Sequence, residues 1–207
     1  MTLEELEAKV KVLENSIRTL QDIEEIKKLQ RIYGFYLEHW MWQEILDLFS
    51  DSPDISVEFS NSGVYVGKEG VKGYFYKEKV TPDTLHEMMQ IGGVVDIDPD
   101  GKTAKGRWYG WGLMAIPTGG GVWAGYNNGI YECEYVKENG KWKFKKIHWF
   151  RIFACPYSEG WVKNPVTNID FPHIADRPKP DLPTTVHKPY PSGFIFPFHY
   201  KHPITGK

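Results

Sequence analysis

The chain has 207 residues, with 25 Lys plus Arg against 27 Asp plus Glu and a formal net charge of −2. That suits one domain with appendages and a full core, and it lacks the basic excess that nucleic acid or an anionic membrane would select. Two cysteines are too few for a disulfide framework, no apolar run approaches the roughly 20 residues of a membrane span, and the acidic N-terminus is unlike a signal peptide, so a cytoplasmic location is expected.

Leu3, Leu6, Val10, Leu13, Ile17 and Leu20 recur at alternating spacings of three and four. This is a heptad seam of under three heptads, too short to stand alone, so residues 1–21 are expected to serve oligomerisation. Asp22 with Glu25 reads as a capping box that restarts the helix through DIEEIKKLQRIYGFYLEH. Its apolar face is expected at Ile23, Ile26, Leu29, Ile32 and Phe35 or Tyr36. A second short helix follows over 43–49.

Residues 55–60 read as a strand, Asn61 to Gly63 as a turn, 64–66 as a short strand and 69–77 as a small helix. Longer alternating runs then cover 86–98, 103–116, 121–136 and 141–153. Turn signals at Pro99-Asp100-Gly101, Pro117 to Gly121 and Glu138-Asn139-Gly140 separate them, which predicts antiparallel hairpins. After Phe153 the composition shifts. Ten of the fourteen prolines lie between Pro156 and Pro203, among Trp161, Phe171, Tyr190, Phe194, Phe196, Phe198 and Tyr200. So aromatic a segment is not a disordered tail, and 155–207 is expected to be an extended arm on its own barrel or on a neighbouring subunit. Residues 22–154 form the expected central domain.

An aromatic content of 15%, with eight Trp, points to an aromatic-walled pocket for a hydrophobic small molecule. Tyr33 and Glu38 lie five apart, about 140° round a regular helix, so both can edge such a pocket. A phenol there steadies a substrate oxygen, and a carboxylate moves a proton. On the 121–136 strand, Trp123, Asn127, Gly129, Tyr131, Cys133 and Tyr135 share a face. On 103–113, Trp108 points inward, while Arg107, Tyr109 and Trp111 share the other face, toward another subunit. Cys133 has no histidine placed to activate it, and His199 with His202 lacks the partners of a metal site. No G-x-S-x-G and no phosphate-binding glycine loop occurs. Neither a cofactor nor a metal is therefore expected.

The order of elements, together with DIEEIKKLQRIY, W-x-E-I-L-D-L-F (Trp42 to Phe49), Pro99-Asp100-Gly101 with Thr103-Ala104, GRWY (Gly106 to Tyr109), ENGKWKF (Glu138 to Phe144) and Arg151-Ile152-Phe153, resembles the SnoaL-like branch of the nuclear-transport-factor-2-like superfamily. The resemblance covers roughly Leu3 to Phe153. The heptad, capping box and GRWY look most like the bile-acid 7α-dehydratases, and the helix is similar to that of the scytalone dehydratases. What the resemblance implies is an α+β fold, a cone-shaped and highly curved antiparallel sheet closed by N-terminal helices, assembled as a trimer.

By the same resemblance Tyr33 matches a catalytic tyrosine, and Glu38 stands where the family has an aspartate. Met88 or Met89 aligns with the catalytic histidine, and His86 lies two residues before Met88 and faces the same side. Phe59 and Met114 align with a pocket tyrosine and a second histidine, and Tyr131 with a pocket position. The implied catalytic set is Tyr33, Glu38 and His86. The implied substrate-binding set is Phe59, Met88, Trp108, Met114, Trp123, Asn127 and Tyr131. The implied activity is that of a cofactor-independent lyase on a hydroxylated aromatic or polycyclic molecule, losing water or formaldehyde. Loss of formaldehyde is the reaction of family members that act on lignin-derived diarylpropanes. A ketosteroid-type isomerase and a non-catalytic binding protein are the alternatives.

Overall fold

The computed structural model describes residues 1–60, 62–75, 82–118, 120–165 and 177–207. Helix α1 runs unbroken from Leu3 to Glu38. Its capping box is at Thr2, not at Asp22: the Thr2 hydroxyl accepts from the Glu5 backbone N–H at 3.2 Å, and the Glu5 carboxylate accepts from the Thr2 N–H at 2.9 Å. Asp22 instead lies buried within the helix, where it pairs with Lys137 and accepts the Trp142 indole N–H at 2.9 Å. A cation and a donor on the sheet claim its carboxylate, so the helix does not restart there.

The buried stripe of α1 is Asp22, Ile26, Gln30, Tyr33, Gly34 and Leu37. It is rotated from the expected face, for Phe35 is 64% exposed and Leu29 and Ile32 lie at the margin. The rotation follows from polar partners on the sheet. The Gln30 amide donates to Gln90 Oε1 at 2.7 Å and accepts from Tyr135 Oη at 2.7 Å, and Tyr135 in turn accepts from Trp108 Nε1 at 2.9 Å. Hydropathy spacing alone excludes Asp22 and Gln30 from a core face, whereas a satisfied buried network admits them.

After α1 come α2 (Trp42–Asp47), β1 (Ser56–Phe59), β2 (Val64–Val66) and α3 (Gly67–Phe75), then the long strands β3 (Leu85–Ile97), β4 (Thr103–Thr118), β5 (Gly121–Glu138) and β6 (Lys141–Pro156), and a short α4 (Gly160–Lys163). Asn61 of the expected turn, the expected helix end at Lys77, and Phe171 lie outside the described residues. The fold is α+β, one curved six-stranded sheet in the order β2-β1-β6-β5-β4-β3, left open, with α1 across its concave face and α4 on the other, where Trp161 stacks on Phe153. The strands from β3 to β6 pair as successive antiparallel hairpins, but β1 pairs parallel to β6, Val57 opposite Ile147. Bulges bend the sheet between Ile91 and Val94 on β3 and at two points along β5 and β6. At the β3 bulge Gly93 has no alternative: a Cβ there would sit 2.1 Å from the Trp108 ring.

Every second residue of β4 from Ala104 to Ile116 is buried toward α1. Tyr33, Trp108, Tyr131 and Phe144 are the large side chains of this core, each at most 1% exposed. Aromatic groups of this size bury about 150–250 Å² apiece, a gross gain of about 4–6 kcal/mol each at roughly 25 cal/mol per Å².

The other sheet face and the β2 edge carry residues 177–207. Val64 N–H donates to Leu182 O at 2.9 Å, and Tyr190 N–H donates to Ile152 O at 2.8 Å. Arg107 donates to the Phe196 and Pro197 carbonyls at 3.1 and 2.7 Å, pairs with Glu132 and lies 4.2 Å from the Phe198 ring centre. His199 contacts Glu132 at 2.8 Å and Asp96 at 3.1 Å. Arg107 thus meets the chain's own arm, while Trp111 stacks on Tyr126 and Tyr109 is 53% exposed. Among the described residues no helix is long and apolar enough to cross a membrane.

Candidate functional site

Strand alternation delivers the site. On the concave face Gly110 of β4 lies opposite Gly129 of β5, Gly112 opposite Asn127, and Met114 opposite Gly125, while Arg151 of β6 lies opposite Gly129. The glycines let rings lie flat on the sheet. A Cβ on Gly129 would stand 2.5 Å from Trp149 Nε1, and one on Gly110 would stand 2.6 Å from the Tyr131 ring. The space that the glycines open is therefore filled by the chain's own Trp149 and Tyr131. Met88 covers Gly112, and Trp123 covers Gly125, in the same way.

Tyr33 meets Tyr131 edge to face, ring centres 6.1 Å apart. Phe59 meets Tyr131 at 6.3 Å and stacks on Tyr74 at 4.8 Å. Tyr131 leans on Trp149 at 6.0 Å, and the Arg151 guanidinium lies 5.4 Å from the Trp149 ring centre. Asn127 touches Met114 sulfur at 3.4 Å. Tyr33, Phe59 and Tyr131 thus form one group, with Met114, Trp123 and Asn127 further along β4 and β5. Met88 packs between α1 and β4. Trp108 belongs to the closed end, its N–H committed to Tyr135.

Buried polar atoms are nearly always hydrogen-bonded in native proteins. Here the Tyr33 hydroxyl, the Trp123 and Trp149 indole N–H groups, one amide end of Asn127 and the Arg151 Nε are all buried without a hydrogen-bond partner among the described residues, and all belong to the concave face. Burial, chiefly, and the neighbouring Tyr131 push the Tyr33 phenol well above its ordinary pKa. Burial also pushes Tyr131 up, partly offset by the neighbouring Gln90 amide and Tyr33 hydroxyl. Both phenols therefore keep their protons near neutral pH and act as donors. Burial lowers the Arg151 pKa as well, but a guanidinium stays charged. Among the described residues the face is thus rich in donors and carries one cation, Arg151, so it suits a ligand that presents oxygen lone pairs or negative charge.

His86 is placed differently. Its Nδ1 accepts the Trp40 indole N–H at 2.7 Å, and the Leu37 carbonyl is the one neighbour that works against the lowering of its pKa. Burial lowers its pKa to about 4, so the ring is neutral near pH 7, with Nδ1 engaged by the end of α1. It staples β3 to the helix end. There Trp40 takes a left-handed conformation, φ 51°, and stacks on Trp42 at 5.7 Å. A left-handed non-glycine residue costs about 1–2 kcal/mol, which the stacking and the His86 bond offset. Glu38 is the last residue of α1, half-buried, and makes no hydrogen bond or ion pair among the described residues. Glu38 is thus part-open to solvent, whereas Tyr33, on the same helix, is fully buried.

The sequence reading passed over Arg151 and Trp149 as site residues. Their signal is present: on β6 both lie on the face of Ile147, beside Gly110 and Gly129, and an arginine on an inward strand position seeks a counter-charge.

A profile of the SnoaL-like domain matches residues 18–148. Among solved structures, a protein of Novosphingobium aromaticivorans provisionally assigned as a scytalone dehydratase superposes with a TM-score of 0.59 at 17% identity, over 75% of this chain and 99% of that one. A type 2 hexachlorocyclohexane dehydrochlorinase superposes at 0.55 and 18% identity, over 68% and 92%. A provisionally assigned dehydratase of Streptomyces avermitilis does so at 0.52 and 13%, over 64% and 97%. At these identities the likeness shows a shared fold.

Proposed function

The chain belongs to the SnoaL-like family, and from that premise we propose that it is a cofactor-independent enzyme that processes a small molecule against the concave face of its sheet. The finer reading is a lyase acting on a hydroxylated aromatic or polycyclic molecule by eliminating water or formaldehyde, with diarylpropane-type lignin fragments as one such substrate. The observation that carries it is the set of buried, unpartnered donors on an aromatic wall: Tyr33, Trp149 and Arg151. The three structural relatives described above are named for eliminations, two for loss of water and one for loss of hydrogen chloride.

An elimination needs a base to take a proton and donors to receive the charge that builds on the leaving or carbonyl oxygen. In this reading Tyr33 and Arg151 hold that oxygen. Glu38, at the end of the same helix as Tyr33, moves the proton. His86 positions Trp40 and the helix end. The wall of Phe59, Met88, Met114, Trp123 and Tyr131 supplies apolar contact, and Asn127 gives one further polar group for orientation.

The test is incubation with a panel of hydroxylated aromatic and polycyclic compounds, without added metal or cofactor, read by product mass. A product lighter by water or formaldehyde that disappears in Tyr33→Phe and Glu38→Gln supports the lyase. A product of unchanged mass identifies an isomerase, for which the protonated Tyr33–Tyr131 pair would hold an enolate oxygen. Ligand binding with no product, altered by Tyr33→Phe in affinity alone, identifies a binding protein.

A further inference from the structure

Residues 1–21, which include the first nineteen residues of α1, are all exposed. The first buried side chain is Asp22. At about 1.5 Å per residue, some 28 Å of helix stands clear of the sheet. The six seam residues Leu3, Leu6, Val10, Leu13, Ile17 and Leu20 are between 43% and 70% exposed. A single helix of that length is marginal in water unless its apolar stripe is covered.

The sequence says what covers it. With Leu3, Val10 and Ile17 at the a positions, the d positions are Leu6, Leu13 and Leu20. β-Branched residues at a with Leu at d select two parallel strands. The flanking charges agree. Lys9 falls at g and Glu14 at the following e, the two positions that meet across a parallel pair. Neither has an ion-pair partner within the chain among the described residues, so both are free for the second strand. An antiparallel pair would set the e positions against each other, Glu7 near the second strand's Glu14, which is repulsive.

We propose that the projecting half of α1 is a docking surface for a second copy of this chain, forming a parallel, in-register, two-stranded coiled coil over residues 3–20, a dimer in place of the trimer that the family resemblance implies. Twelve seam side chains at about 80 Å² each would bury roughly 1,000 Å², at the lower limit of a specific interface, so the pairing is reversible and concentration-dependent. The helix is continuous into the sheet and is anchored there by the Asp22 contacts with Lys137 and Trp142, so the coil fixes how two sheets face each other.

Cross-linking of the full chain tests this, since Cys133 and Cys155 are both buried. In a parallel in-register coil Leu13 meets its own copy, while Ala8 at f faces outward. Leu13→Cys should oxidise to a covalent dimer at least tenfold faster than Ala8→Cys. Equal rates, or no dimer from Leu13→Cys, would overturn the proposal. Lys9→Glu should raise the concentration of half-assembly several-fold in sedimentation, and Lys9→Glu with Glu14→Lys should restore it. Failure of that rescue would overturn the parallel register. Unchanged circular dichroism in each variant separates lost pairing from lost helix.

Discussion

Arg151 gives the most discriminating perturbation, because stability and function should move in opposite directions. Its Nε is buried and unpartnered, no acidic side chain pairs with it among the described residues, and its pKa is lowered by burial. Replacing a buried charge by an apolar group of similar volume is often stabilising, by about 1–4 kcal/mol. Two corrections apply to Arg151→Met. The arginine keeps a part of its surface open, so the lower half of that range is appropriate, and the contact with the Trp149 ring, about 0.5–1 kcal/mol, is lost. The net expectation is a gain of about 1 kcal/mol, or roughly 2–4 °C in Tm for a chain of this size. The same change removes the cation that the described residues place in the concave group, so affinity for a phenolate or carboxylate ligand should fall by at least tenfold. The assay is urea and thermal unfolding of both proteins, with and without ligand. A destabilisation of more than 1 kcal/mol with unchanged ligand protection would make Arg151 a structural residue and refute the reasoning.

Tyr33→Phe removes a buried hydroxyl that has no hydrogen-bond partner, so stability should stay within about 1 kcal/mol of the parent or rise, while turnover falls on the order of 10²-fold; denaturant titration beside a rate measurement checks both. Folded His86 has a pKa of about 4 against 6.5 unfolded, so the unfolded chain binds more protons and stability drops as pH falls from 6.5 to 4. The loss from this group is about 3 kcal/mol, and the pH slope between 4 and 6.5 should flatten in His86→Asn; an unchanged slope would contradict the staple. Gly129→Ala places a methyl 2.4 Å from the Phe150 carbonyl oxygen and 2.5 Å from Trp149 Nε1, so it should destabilise by about 1–3 kcal/mol and weaken ligand binding, and a variant as stable as the parent would show that neither group lies so close to that glycine.

The strands were legible because period-two alternation and Gly-containing turns are local, and β3 to β6 fall within a few residues of their expected bounds. The parallel pairing of β1 with β6 was not, since no local pattern reports a partner ninety residues away. Asp22 illustrates the limit on helices. Its capping signal with Glu25 is real in isolation, yet Lys137 and Trp142 claim the carboxylate from more than a hundred residues away. For the site, residue type and strand parity placed Tyr33, Phe59 and Tyr131 together, and ring contacts join them. His86 shared the expected face, but nothing in its neighbourhood announced that Trp40 would turn back through a left-handed residue to take its Nδ1. Arg151 is readable from parity, since it shares the strand face of Ile147 and Trp149, but its residue type alone equally suits a side chain that reaches solvent.

The structure of the protein bound to a hydroxylated aromatic ligand chosen by thermal-shift screening is the most direct measurement. The account predicts the ligand's ring against Phe59 and Tyr131, with an oxygen within hydrogen-bond distance of the Tyr33 hydroxyl and the Arg151 guanidinium. A ligand bound instead in the groove between Tyr109 and Phe194 on the opposite face, with those donors untouched, would contradict it.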